Sequence, residues 1–149
     1  MNKDIKDLLQ FTLKRQGFSL TKPRELVFDL LLNKEPQTMN EIHKRIDRRI
    51  DRASLYRIIN VFEQSGVVQR LPVGWKYKIE LTDLFTHHHH HITCIGCAKI
   101  FPIKEDASIE KLISELAIKY KVVSTGHQLE VQGYCENCAK TNISLIFKQ

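Results

Sequence analysis

Helical periodicity over the first 66 residues, two alternating runs after it, and two Cys-x-x-Cys pairs in the remainder predict an α+β protein in two parts. Residues 1–82 have the element order of a winged helix-turn-helix domain. Residues 83–86 read as a hinge, and residues 87–149 as a small α/β domain with a four-cysteine site.

Ile5, Leu8, Leu9 and Leu13, with Thr12, recur at helical spacing, and Gly17 ends this first helix. Thr21 is placed to cap a second helix with Pro23 in its first turn and Leu26, Val27, Leu30 and Leu31 as its apolar face. After a loop over 33–37, a third helix from about Met39 turns Ile42 and Ile46 inward and His43, Lys44, Arg45, Arg48 and Arg49 outward. Asp51 is placed as N-cap of a fourth helix that buries Leu55, Ile58, Ile59 and Phe62 and stops at Gly66. Val67–Leu71 and Lys76–Leu81 alternate like strands, with a turn expected at Pro72-Val73-Gly74. In such a domain the helix before the hairpin enters the major groove, with Arg, Asn and Ser at base edges and other cations on phosphates.

In the second part, Ile92–Cys94 and Lys99–Ile103 flank the first cysteine pair as strands. Ile109, Leu112, Ile113, Leu116, Ala117 and Tyr120 keep a helical period after Asp106 or Ser108 as cap. Strands are expected over Lys121–Val123, Gln128–Gln132 and Ile143–Phe147. So few strands under one helix leave edges and faces exposed, which favours self-association.

The chemistry concentrates in His87-His88-His89-His90-His91-Ile92-Thr93-Cys94-Ile95-Gly96-Cys97. Imidazole and thiolate are the usual ligands of zinc and other late first-row metals. Cys135 and Cys138 follow after a gap of 37 residues and, with Cys94 and Cys97, can give one ion four thiolates. The histidine run is internal and continues into an apolar strand, unlike an affinity tag. No signal peptide is recognised before it, so a reducing compartment is expected, and that favours metal over disulfides or a redox dithiol. Along an extended strand alternate side chains share a face, so His88 and His90 point one way and His89 and His91 the other. Two metal sites become conceivable.

Charge is divided unevenly. Residues 1–80 carry 16 Lys and Arg against 10 Asp and Glu, whereas residues 81–149 carry seven of each. The first part therefore suits a polyanion and the second does something else. No apolar run approaches the 18 residues that would indicate a membrane span.

Taken together, Gly17–Arg24, Arg52-Ala53-Ser54-Leu55-Tyr56-Arg57, the histidine run into Cys94-x-x-Cys97, Gly126-His127-Gln128-Leu129 and Gly133-Tyr134-Cys135-x-x-Cys138 resemble the ferric uptake regulator (Fur) family over nearly the whole chain. The resemblance implies a cytoplasmic homodimeric repressor, not an enzyme, whose winged helix binds an operator in double-stranded DNA when a regulatory metal holds the domains in the closed arrangement. It implies DNA contacts from Arg24, Arg52, Ser54, Tyr56, Arg57 and Asn60. It implies structural Zn2+ on Cys94, Cys97, Cys135 and Cys138, a regulatory site at His88, His90, Glu110 and His127, and a second site at Glu80, His89 and His91, with His43 an outside candidate.

The chain departs from the family pattern in several places. Pro36-Gln37 stands where many relatives have a histidine, and Phe101-Pro102 where they have an acid. The extra wing cysteine of zinc-sensing relatives is missing, and Leu84-Phe85 lengthens the hinge. The regulatory ion is therefore read as Fe2+ or Zn2+, with Mn2+ and Ni2+ as further candidates, and the role as metal homeostasis, with peroxide or nickel sensing as the alternatives within the family. In a different class the cluster could serve a metal-dependent hydrolase or a zinc store, but no His-Glu-x-x-His motif accompanies it.

Overall fold

The structure is a computed structural model and describes residues 3–47, 49–74, 76–104 and 106–141. The chain divides into two compact units, Met1–His87 and His88–Gln149.

The first unit runs α1 (Lys3–Arg15), α2 (Lys22–Leu31), α3 (Met39–Arg45), α4 (Arg52–Gln64), β1 (Val68–Val73) and β2 (Lys76–Leu81). One core holds these elements together, with Leu9 and Leu13 of α1, Val27 and Phe28 of α2, Ile42 of α3, Leu55, Ile59 and Phe62 of α4, and Ile79 of β2 all buried. Phe28 sits edge-on to Phe62 and to Phe85, the ring centroids 6.4 and 5.0 Å apart. Residues 83–86 thus give Phe85 to this core.

Local chemistry sets the helix ends. Thr21 occupies the N-cap of α2 but its side chain makes no capping bond; Pro23 stands in the first turn. Thr38 and Glu41 close a reciprocal capping box on α3, with the Thr38 N–H donating to Glu41 at 2.6 Å and the Glu41 N–H donating to Thr38 Oγ1 at 3.2 Å. Asp51 caps α4 by accepting from the Ser54 N–H at 2.9 Å. Gly66 follows α4 at φ +69°, a conformation that side-chain-bearing residues rarely adopt.

The hairpin turns later than the sequence pattern predicts, because Pro72 and Val73 belong to β1 and pair with Tyr77 and Lys76. Pro72, which has no N–H to give to a ladder, lies in the last two residues of β1, next to the turn. Gln37 adds one bridge on the other side of β2, its N–H to the Ile79 carbonyl at 2.9 Å and the Ile79 N–H back to it at 2.7 Å.

The second unit contains β3 (His89–Cys94), β4 (Ile100–Lys104), α5 (Ala107–Lys119), β5 (Glu130–Gly133) and α6 (Glu136–Thr141). Its sheet has the order β4-β3-β5, with β3 antiparallel to β4 and parallel to β5. Two expectations change here. Lys121–Val123 is not a strand: Lys121 takes φ 55°, and Val123 is 89% exposed, with no strand beside it among the described residues. The strand expected over 128–132 begins at Glu130, which leaves His127 in the irregular segment before it. The second cysteine pair runs into a short helix, α6. The strand expected over Ile143–Phe147 lies outside the described residues. On α5, Leu112, Leu116 and Ile118 are exposed, as is Val131 on β5.

Candidate functional site

The parallel pairing of β3 with β5 assembles the cysteines. Cys94 stands opposite Gly133, and the Ile95 N–H continues the ladder to the Gly133 carbonyl at 2.9 Å. Both strands end together, so Cys94–Cys97 and Cys135–Cys138 emerge side by side, and the four sulfurs gather within 4.8 Å of one another. Cys97 Sγ and Cys135 Sγ are 3.8 Å apart. A tetrahedral zinc with bonds of about 2.3 Å separates its sulfurs by about 3.8 Å, so this spacing suits zinc.

The thiols are electrostatically unequal. Burial pushes the Cys94 thiol up, but N–H donors of Cys135, Cys97 and Gly96 outweigh it and bring Cys94 to about 6. The Cys135 N–H donates to Cys94 Sγ at 3.2 Å. Cys138 goes the other way, its neighbour Cys135 and then burial pushing it up to about 12. Four thiolates this close repel, and a divalent cation among them is what lets all four ionise. Gly96 also fits this knuckle for a steric reason, since a Cβ there would lie 3.0 Å from Cys138 Sγ and 3.2 Å from the Tyr134 ring.

A second constellation lies further back along β3. The ligand atoms of His88, His90, Glu110 and His127 all fall within 4.8 Å of one another. Glu110 Oε1 is 3.1 Å from His90 Nε2, 3.3 Å from His127 Nε2 and 3.4 Å from His88 Nε2, and the His88 and His127 Nε2 atoms are 3.0 Å apart. Zinc–nitrogen bonds of about 2.0–2.1 Å in a tetrahedron place ligand atoms about 3.3–3.4 Å apart, close to this spacing. Three elements supply the set: β3 and its approach, the first turn of α5, and the segment before β5. Asp106 caps α5 by accepting from the Ser108 hydroxyl and N–H, which hold its carboxyl below the usual carboxylate range. That cap fixes the turn that carries Glu110.

On the opposite face of β3, the His89 and His91 rings lie 4.7 Å apart. Glu80, in the first unit, is buried near the end of β2 and accepts from Gln69 at 2.6 Å. His43 belongs to no cluster of metal-binding groups among the described residues.

In the first unit, Tyr56 and Arg57 are exposed on α4 with Asn60 about one turn further on, while Ser54 is half-buried near its start. Arg52 donates to Asn40 of α3, and Arg24 to the Ser19 carbonyl while lying over the Phe18 ring. Sequence reasoning missed Arg70, whose guanidinium reaches from β1 to Glu63 and Asn60 of α4. It also missed the box on α3, although Thr38-Met39-Asn40-Glu41 spells it.

Residues 15–132 match the Ferric uptake regulator family. The chain belongs to that family. It is 34% identical to the ferric uptake regulation protein of Escherichia coli K12 over 131 residues, covering 83% of this chain and 85% of that one. Among solved structures it resembles the Fur protein of Helicobacter pylori, which has three functional metal binding sites, with a TM-score of 0.75, 27% identity and coverage of 91% and 92%. The Fur protein of Vibrio cholerae aligns with a TM-score of 0.67 and 30% identity over 83% of this chain and 96% of that one. The Fur fold accounts for the two units, and the four-cysteine cluster is consistent with a zinc site within it.

Proposed function

We propose that this Fur-family chain is a metal-responsive repressor that binds operator DNA as a homodimer in the cytoplasm and controls metal homeostasis through Fe2+ or Zn2+. The observation that carries the reading is the convergence of three imidazoles and one carboxylate from separate elements on one point. A divalent ion held there supplies the charge and the directed bonds that tie those elements together. Residues 1–82 are proposed as the DNA-binding domain, 83–86 as hinge and 87–149 as the dimerisation domain. Arg24, Arg52, Ser54, Tyr56, Arg57 and Asn60 are proposed to face the DNA. The exposed apolar side chains of α5 and β5 support self-association, because a free apolar surface of this kind is usually covered by another chain.

Cys94, Cys97, Cys135 and Cys138 are proposed as the structural zinc ligands, and His88, His90, Glu110 and His127 as the regulatory ones. Glu80, His89 and His91 are proposed as a second set on the family resemblance. A catalytic zinc keeps an open position beside three protein ligands, whereas the histidine cluster offers four, which favours sensing over hydrolysis.

Metal analysis of protein purified without added metal, coupled to DNA titrations over several divalent ions, tests the proposal. The expected result is one chelation-resistant zinc per chain and a second, exchangeable ion whose binding raises DNA affinity. DNA affinity indifferent to every ion would sink it.

A further inference from the structure

Arg70 is held from three directions. Its Nη2 lies 2.7 Å from Glu63 Oε2 and donates to Asn60 Oδ1 at 3.2 Å, and its guanidinium lies 4.6 Å from the centre of the Tyr77 ring. Asn60 and Glu63 are three residues apart and share one flank of α4; Arg70 and Tyr77 belong to β1 and β2. The planar cation lies over one ring while its outermost nitrogen, Nη2, engages two other side chains, and a lysine ammonium, one bond shorter, falls short of that reach.

An arginine can only donate hydrogen bonds, so the Asn60 atom that faces it must be the carbonyl oxygen. The amide is thereby oriented, with its oxygen toward the hairpin and its NH2 group away from it. A freely rotating asparagine offers a donor and an acceptor together, the pair that reads adenine N6 and N7 in the major groove. With the acceptor end turned to Arg70, Asn60 presents N–H donors alone. Donors alone suit positions that offer acceptors, such as guanine N7 and O6.

We infer that Arg70 is a positioning residue for sequence readout: by holding the Asn60 oxygen toward the hairpin, it makes Asn60 a donor-only reader of base edges. This rests on the proposal that α4 enters the major groove. Glu63 has a matching part, because its carboxylate anchors the guanidinium and is itself neutralised beside the phosphates. Arg70 is then no phosphate ligand.

The test uses the full-length Zn2+-loaded protein, selection on a randomised duplex, and salt titrations on the selected site. Asn60→Ala should erase base preference at one position per half-site. Arg70→Lys and Arg70→Leu should shift that same position toward adenine by on the order of five-fold, leaving other positions unchanged. Arg70→Leu in an Asn60→Ala background should add no further change in preference. The slope of log affinity against log salt should stay as in the parent. A slope reduced by about 0.9, with equal loss on all sequences, would make Arg70 a phosphate contact and overturn the inference. So would an Asn60→Ala protein with every preference intact. If the parent retains no duplex at all, the DNA-binding proposal itself fails. Arg70→Lys keeps the charge facing Glu63, so its folding, followed by thermal unfolding, separates lost readout from lost structure.

Discussion

Glu110 Oε1 stands 3.1 Å from His90 Nε2, joining a strand residue only 1% exposed to the first turn of α5. The same oxygen lies within 3.4 Å of both His88 and His127, so one carboxylate gathers three imidazoles from two other parts of the unit. His127→Ala is therefore expected to leave the cysteine zinc and the dimer intact while abolishing the metal-dependent gain in DNA affinity. Moving a competent population from 1% to 99% takes roughly 5.5 kcal/mol of differential binding, which four ligands can supply more readily than three. Glu80→Ala in the same assay ranks the two proposed sites. If Glu80→Ala destroys activation and His127→Ala does not, the sensor is the set with His89 and His91.

The cysteines should behave differently, because their ion is bound up with folding. Cys94 is buried where β3 ends, and its sulfur accepts from the Cys135 N–H. Structural zinc in small units contributes on the order of 10 kcal/mol to folding. Cys94→Ser should lose zinc and dimerisation together, read by metal analysis and sedimentation. A variant that stays dimeric, zinc-loaded and thermally unchanged refutes the four-thiolate site.

The first unit was largely legible in the sequence because its helices carry strong local signals. Leu55, Ile58, Ile59 and Phe62 repeat at helical spacing, and Asp51 and Gly66 mark the two ends. The second unit was less so. Lys121-Val122-Val123 has strand propensity, but propensity expresses itself only against a partner strand, and among the described residues none lies beside it. The histidine face followed from strand alternation alone. The parallel pairing of β3 with β5 that sets the two cysteine pairs side by side had no local signature, nor did the grip of Arg70 on Asn60, since both depend on residues distant in sequence.

The capping box on α3 gives a pH prediction. The Thr38 N–H holds the Glu41 carboxyl below its usual range, and burial opposes this more weakly. A lowered folded value means that the stabilisation is present above the ordinary carboxylate range and lost as pH falls through the folded one. Glu41→Gln should flatten the acid limb of thermal stability in that window and leave neutral-pH behaviour less affected. Thr38→Ala should cost about 1 kcal/mol at pH 7 in denaturant titrations, the usual worth of an N-cap. An unchanged acid limb in Glu41→Gln would show that the box contributes nothing.

The last prediction concerns how the first unit meets DNA. Its charge excess lies in residues 1–80, and Arg57 and Tyr56 are exposed together on α4. If each subunit neutralises several phosphates, affinity should fall steeply with salt, with a log–log slope of about −0.9 per contact. Arg57→Ala can then act in one of two recognisable ways. Loss of a phosphate contact weakens all sequences alike and makes the slope shallower by about one contact, whereas loss of a base contact relaxes preference at one position. The position of Arg57 in the second turn of α4, where recognition helices touch base edges, favours the second outcome. Tyr56→Ala should weaken binding through lost stacking or phosphate contact. Two full-length variants with parental affinity, slope and preference would remove α4 from the interface.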